Sequence, residues 1–290
     1  MGLRMRLVVL AFAVFAVLAQ GCSTRPRGTG EVFELRSRAE TQLELAGRSA
    51  DRGDPDAALF LLREAAGLAA LADDSGLIVR VAVSRGNALL MLGRDGEADS
   101  ELAAAEDEAL LSGRRDLLAL VRIHRARRNL GSESGADSAR AAIDDVRRET
   151  AFLSDPLQVA FAWTVIGLAE GELGRHDLAE AAVRRSLAVH ERGTGIELVA
   201  FDWFMIASFR SRSGDFDGAR LALQTSISLD RRAENSWGIA SGWRALGDVE
   251  SRAGNRDSAR AAYVRAAGIF SAMGNARAAE DALSRIADGD

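Results

Sequence analysis

Lysine is absent from this sequence; all 37 of its basic residues are arginine. Without a lysine amine the chain has no Schiff-base nucleophile and no lysine-headed phosphate loop. A single cysteine, Cys22, excludes an intramolecular disulfide. Only Pro26, Pro55 and Pro156 interrupt the backbone, so long helices can run between them. Aromatic residues make up 6% of the chain, while Ala, Leu, Arg and Glu abound, which favours helix over sheet. A hydrophobic share of 48% excludes wholesale disorder. The formal charge of −5 is spread along the chain, and no basic face exists to neutralise phosphates, which argues against a nucleic-acid partner. A length of 290 residues suits one or two compact domains or one elongated repeat array.

The amino terminus reads as an export signal. Arg4 and Arg6 precede an apolar run from Leu7 to Ala19, too short for a comfortable membrane span, and Gln20-Gly21-Cys22 follows. Loss of Arg4 and Arg6 with such a leader takes the charge from −5 to −7. The stretch Leu18-Ala19-Gln20-Gly21-Cys22 resembles the lipobox of bacterial lipoproteins, although Ala19 stands where that family usually has leucine. The resemblance implies that Cys22 is lipidated on sulfur, that the leader (residues 1–21) is cut off, and that the new amino terminus is acylated. Several acyl chains on one residue anchor stably where one would be marginal. Ser23 after the cysteine, with no aspartate, implies sorting to the outer membrane, facing the periplasm. An exported protein with an unmodified cysteine is the alternative. Residues 22–32, with Pro26, Gly28 and Gly30 and no apolar periodicity, read as a tether. About ten residues reach at most about 35 Å, which keeps the folded part near the membrane.

From residue 33 to 290 a 40-residue step organises the chain. Trp163, Trp203 and Trp243 keep it, as do Gly174, Gly214 and Gly254. Carried upstream, it places an alanine at Ala58, Ala98, Ala139, Ala179, Ala219 and Ala259, at intervals of 40, 41, 40, 40 and 40. Four residues beyond each stands a larger apolar residue: Leu62, Leu102, Ile143, Val183, Leu223 and Tyr263. Small then large at i, i+4 puts both on one buried helix face. Asp56, Asp137, Asp177, Asp217 and Asp257 stand where these helices start, suited to capping and to the positive end of the dipole. Gly53, Gly93, Gly174, Gly214 and Gly254 end the preceding helices.

The combination resembles the tetratricopeptide repeat, most closely in Trp163-x-x-Ile166-Gly167, Trp203-x-x-Ile206-Ala207 and Trp243-x-x-Leu246-Gly247. The family's usual unit is shorter and often ends in proline, so the second helix here should be longer, as in the long-unit branch. The resemblance implies an all-α superhelix of about six helix pairs, closed by a polar-faced capping helix from Asn275 to Ala287. The tryptophans then belong to the packing between helices. Unit three is degenerate: Ile123 replaces tryptophan, Arg127 occupies the small position, and Gly131 to Gly135 is a loose turn.

No catalytic constellation is apparent. His124, His176 and His190 lack neighbours at zinc-ligand spacing, no glycine-rich phosphate loop occurs, and the acids read as solvated faces or caps. No metal, cofactor or enzymatic activity is therefore expected. In the family the first helices line a concave groove, and three template positions point into it. Carried onto this chain, these are Phe161, Thr164 and Leu168 in unit four, and Phe201, Phe204 and Ser208 in unit five. Unit two supplies Arg80, Val83 and Asn87, unit three Val121, His124 and Arg128, and unit six Ser241, Arg244 and Asp248. An apolar centre flanked by arginines suits a protein or peptide segment with an apolar anchor and flanking acids. Phe161 and Phe201 could equally pack between units. The function expected is a membrane-anchored, non-enzymatic adaptor of an envelope assembly, in secretion, pilus or outer-membrane machinery. The alternatives are an accessory of peptidoglycan metabolism, or a glycan-binding solenoid, and a structural lipoprotein that self-associates through its groove or the Trp237 face.

Overall fold

The computed structural model describes residues 30–130, 135–193 and 195–287. Among them the chain forms thirteen α-helices and no strand. The first six are α1 (Glu31–Asp51), α2 (Pro55–Leu71), α3 (Ser75–Met91), α4 (Asp95–Leu111), α5 (Arg115–Asn129) and α6 (Gly135–Thr150). The next six are α7 (Pro156–Glu172), α8 (His176–His190), α9 (Ile196–Ser213), α10 (Phe216–Arg232), α11 (Ser236–Arg252) and α12 (Arg256–Ala272). They pack in chain order as six antiparallel pairs, and α13 (Ala276–Ala287) caps the end. The leader, Cys22 with the tether as far as residue 29, and residues 131–134 of the loose turn lie outside the described residues. Helix α1 begins at Glu31, two residues before the expected boundary at 33.

Local chemistry sets the helix ends. Pro55 and Pro156 open α2 and α7, where a missing N–H is harmless. The capping acids are not the ones the sequence points to: Asp54 and Asp215 accept the backbone N–H groups of Ala57 and Gly218, both at 2.9 Å. Asp56, Asp137, Asp177, Asp217 and Asp257 lie one step inside, in the first turn, where they act on the dipole instead. The turns inside the pairs need a left-handed residue, and Gly174 (φ 72°), Gly214 (φ 90°) and Gly254 (φ 82°) supply it.

Packing follows the 40-residue step. The six alanines are between 0% and 5% exposed, and so are the six larger residues four positions on. A third position, seven beyond the alanine, holds Ala65, Ala105, Val146, Ser186, Ser226 and Ala266 at 0–1% exposure. On the facing helix, a Cβ added to Gly167 would come within 2.8 Å of Val183 and 3.1 Å of the Ala179 carbonyl, so the backbones meet with no side chain between them. Trp163, Trp203 and Trp243 pack half-buried against these clusters. Guanidinium groups lie over Trp163 (Arg185, 4.3 Å) and Trp243 (Arg265, 4.5 Å).

The expectation that the acids occupy solvent faces fails at five positions. Glu149, Glu170, Asp202, Asp230 and Glu250 are 8% exposed or less, and each is held by a partner. One of these contacts recurs with its charges exchanged. Arg210 on α9 bonds Glu180 on α8 (2.9 Å), and one unit later Glu250 on α11 takes Arg220 from α10 (2.7 Å).

The stack also curls far enough for its ends to meet. The Gly53 turn of unit one lies against the indole of Trp237 at the start of unit six: a Cβ on Gly53 would sit 2.4 Å from two ring carbons. The other side of that indole packs edge-on to Phe270, 5.1 Å between centroids. Acids crowd the same junction. Burial, with Glu197 beside it, raises Asp51 to about 6. Burial likewise raises Asp230 to about 6, with Glu197 adding and the Asn235 and Ser226 hydrogen bonds opposing. Trp237 thus holds together a contact that ionised acids oppose. Trp237→Ala is expected to lower stability by about 2 kcal/mol, less than for a fully buried tryptophan. It is also expected to accelerate amide hydrogen exchange in the Gly53 turn; unchanged exchange there would show that unit one does not rest on the indole.

Candidate partner-binding groove

Four residues from three successive first helices meet on the concave surface. His124 of α5 stacks on Phe161 of α7, with ring centroids 4.3 Å apart and planes at 21°. The Asn87 amide of α3 meets His124 Nδ1 at 3.3 Å, while its oxygen accepts Arg127 Nη1 at 3.2 Å. That pattern defines the histidine: Asn87 donates to Nδ1, so the imidazole is neutral and its Nε2 carries the proton. Burial, reinforced by the Arg127 charge, pushes the His124 pKa down to about 3. Burial also holds the Arg127 guanidinium below its ordinary range. His124 is half-buried, and Arg127 above it is exposed to solvent.

The other expected groove residues divide. Phe201 is 47% exposed, and Ser208 beside it on α9 is exposed as well. Phe204 and Leu168 are half-buried and pack on the unit-five core. Thr164 is a correction: it is 6% exposed, and its hydroxyl lies 3.3 Å from the Ala160 carbonyl and 3.2 Å from Ser186 Oγ. Val83 and Val121 are buried in the core of units two and three. Arg128 and Arg244, expected to flank the groove, are both ion-paired. Arg128 turns to Asp99 (3.2 Å) and Asp95 (3.7 Å) on α4, and Arg244 bonds Asp281 of α13 at 2.8 Å.

Arg127 is the residue that sequence reasoning missed. Successive side chains leave a helix about 100° apart, so a one-residue error in register exchanges a groove cation for one paired to a neighbour. The signal was present: 40 residues on from Arg127 come Gly167, Ala207 and Gly247, small residues at helix contacts. A guanidinium cannot enter that contact and emerges on the concave side.

A buried polar seam joins units four and five. His190 Nδ1 lies 2.6 Å from Asp202 Oδ2 and 3.5 Å from Ser186 Oγ. Serine and aspartate thus approach the same ring nitrogen, whereas a nucleophile–base–acid relay needs them on opposite nitrogens. Ser186 and Asp202 are also 0% exposed, so substrate cannot reach them. Among the described residues no group of three or more His, Cys, Asp or Glu side chains is placed to hold a metal ion. A cleft of about 660 Å³ lies among α4, α5 and α6, where Arg115, Arg122 and Arg125 are paired with Glu106 and Glu149.

The groove histidine has a pH consequence. Its folded pKa lies below that of the unfolded chain, so its contribution to stability is intact above about 6.5 and is lost as pH falls toward 3. His124→Gln keeps an acceptor for Asn87 and is expected to flatten the fall in melting temperature between pH 6.5 and 4. Parallel profiles for the variant and the native chain would place His124 outside the enclosed concavity.

No family model matches the chain, and no curated protein matches it. Solved structures do. A Rap protein complexed with competence and sporulation factor aligns with a TM-score of 0.60 at 15% identity, covering 87% of this chain and 71% of that one. A signal-transduction ATPase from Pyrococcus horikoshii with a tetratricopeptide repeat sensor aligns at 0.51 and 13% identity, over 89% of this chain and 43% of that one. PilW, a type IV pilus biogenesis factor, aligns at 0.50 and 14% identity, over 84% and 98%. At these identities the likeness concerns the fold, and it agrees with the six helix pairs and their 40-residue step. The chain has a tetratricopeptide-like helical repeat fold.

Proposed function

We propose that this chain is a non-enzymatic adaptor that holds a protein segment in its concave groove, anchored through lipidated Cys22 at the periplasmic face of a bacterial outer membrane. The observation that carries the reading is the groove surface itself. A neutral imidazole stacked on Phe161, an amide and a guanidinium form one connected cluster, and an exposed Phe201 stands two units from Asn87's partner helix α5. Aromatic and arginine side chains in a concavity are what binding surfaces concentrate. The ends meeting at Trp237 enclose this surface, which favours an extended segment over a globular partner. Similarity of fold to a Rap protein bound to a factor, and to a pilus biogenesis factor, supports partner binding and an envelope role respectively. The Trp237 indole is covered within the chain, which weighs against the self-association reading at that face.

The two phenylalanines of unit five separate binding from packing. Phe201→Ser is expected to abolish recovery of the partner from envelope extracts while melting temperature and helical circular dichroism stay near those of the native chain. Phe204→Ser is expected to destabilise by about 2 kcal/mol, because that ring also fills the core. Full partner recovery by the Phe201 variant would overturn the groove assignment.

A further inference from the structure

Within each pair the first helix starts, and the second ends, at the same edge of the stack. In units one to three that edge is apolar. Leu71 ends α2 and Leu111 ends α4, one repeat apart, and both are largely exposed, at 71% and 84%. Phe152 stands just beyond the end of α6 at 43% exposure, and Phe33 in the first turn of α1 at 56%. Phe152 holds the position corresponding to Leu71 and Leu111 in unit three, and units four to six carry Arg192, Arg232 and Ala272 there. Leu157 and Met273 are exposed on this edge in units four and six, but the aligned apolar position at the second-helix ends is confined to units one to three. Isolated exposed leucines would be unremarkable, whereas an aligned set marks a contact surface.

Three arginines beside it are paired or covered, while Glu31, Glu34 and Asp73 are exposed. Arg36 bonds Asp74 at 2.9 Å, Arg114 bonds Asp116 at 2.6 Å, and Arg115 lies over the Phe152 ring at 4.3 Å. We infer that this edge seats on a phospholipid bilayer surface, with Phe33, Leu71, Leu111 and Phe152 entering the interfacial region. The inference rests on the Cys22 anchor proposed above. Eight residues lie between Cys22 and Glu31, a reach of at most about 30 Å, and α1 begins on this edge with Phe33 exposed. An anchored chain thus presents this edge to the membrane first. Among the described residues no helix is long and apolar enough to cross a bilayer, so the contact is one of surface seating. With that edge against lipid, the first-helix groove runs across the membrane face, open to a partner in the periplasm.

The test places photoreactive benzoylphenylalanine at Leu111 or, on the opposite edge, at Leu178, which is 54% exposed. The full chain, produced in bacterial cells, is reconstituted in vesicles of phosphatidylethanolamine and phosphatidylglycerol and irradiated. Mass spectrometry then reads phospholipid adducts and, separately, acylation of the Cys22 peptide. Adduct yield is expected to be about tenfold higher from Leu111 than from Leu178, the factor that partial burial of one leucine side chain provides. Acylated Cys22 with equal yields, or Leu111 adducts only to a second copy of the chain, would overturn the seating and leave the anchor standing. Unacylated Cys22 removes the anchor reading. The seating then stands only if the Leu111 adduct persists in a Cys22→Ser chain, and falls with the anchor if it does not.

Discussion

Each second helix meets its partner at an alanine, and the close approach that this small side chain permits is what the rest of the molecule depends on. The six alanines from Ala58 to Ala259 are buried in all six pairs, with larger apolar residues filling the space one helical turn on. Where the facing position is glycine, as at Gly167, the backbones nearly touch. Repeating one such contact at a constant step gives each unit the same small rotation relative to the last. The curl of the stack, the meeting of Gly53 with Trp237 and the enclosure of the concave surface all accumulate from that rotation.

Unit three departs from the rule, and the departure serves the groove. Arg127 takes the position that is small in units four to six, and its guanidinium goes into the concavity instead. There it bonds Asn87, whose amide donates to His124, while burial and the Arg127 charge keep the imidazole neutral on the face of Phe161. A polar cluster with a free imidazole N–H and a cation, next to exposed aromatic surface two units along, is chemically suited to a peptide backbone with an apolar anchor. The charges that could compete are neutralised elsewhere: Arg128 and Arg244 face carboxylates on α4 and α13. The seam of Ser186, His190 and Asp202 is sealed inside the interface and belongs to packing.

Much of the fold was legible because it depends on side-chain size at a fixed spacing, and size is visible in sequence. The alanine and large-residue ladder, the turn glycines and the final cap all appear where the 40-residue step places them. The site was less legible because it depends on direction. Arg127 and Arg128 differ by one position and about 100° of rotation, and only the structure distinguishes them. Thr164 shares a template position with His124 and Phe204, yet being short it is covered and hydrogen-bonded within the stack. One buried acid escaped notice for a related reason: Glu250 finds Arg220 30 residues away on a neighbouring unit, beyond any local pattern.

Capture of a segment in the enclosed groove is the claim on which the functional account turns. The most direct measurement is in-cell photocrosslinking from Phe201 in the groove, compared with Phe60, which is 70% exposed on the outer surface of α2. The account requires one dominant protein adduct from Phe201, mapped to a short contiguous stretch of the captured chain, and none of it from Phe60. The same adducts from both positions, or none from Phe201, would contradict it.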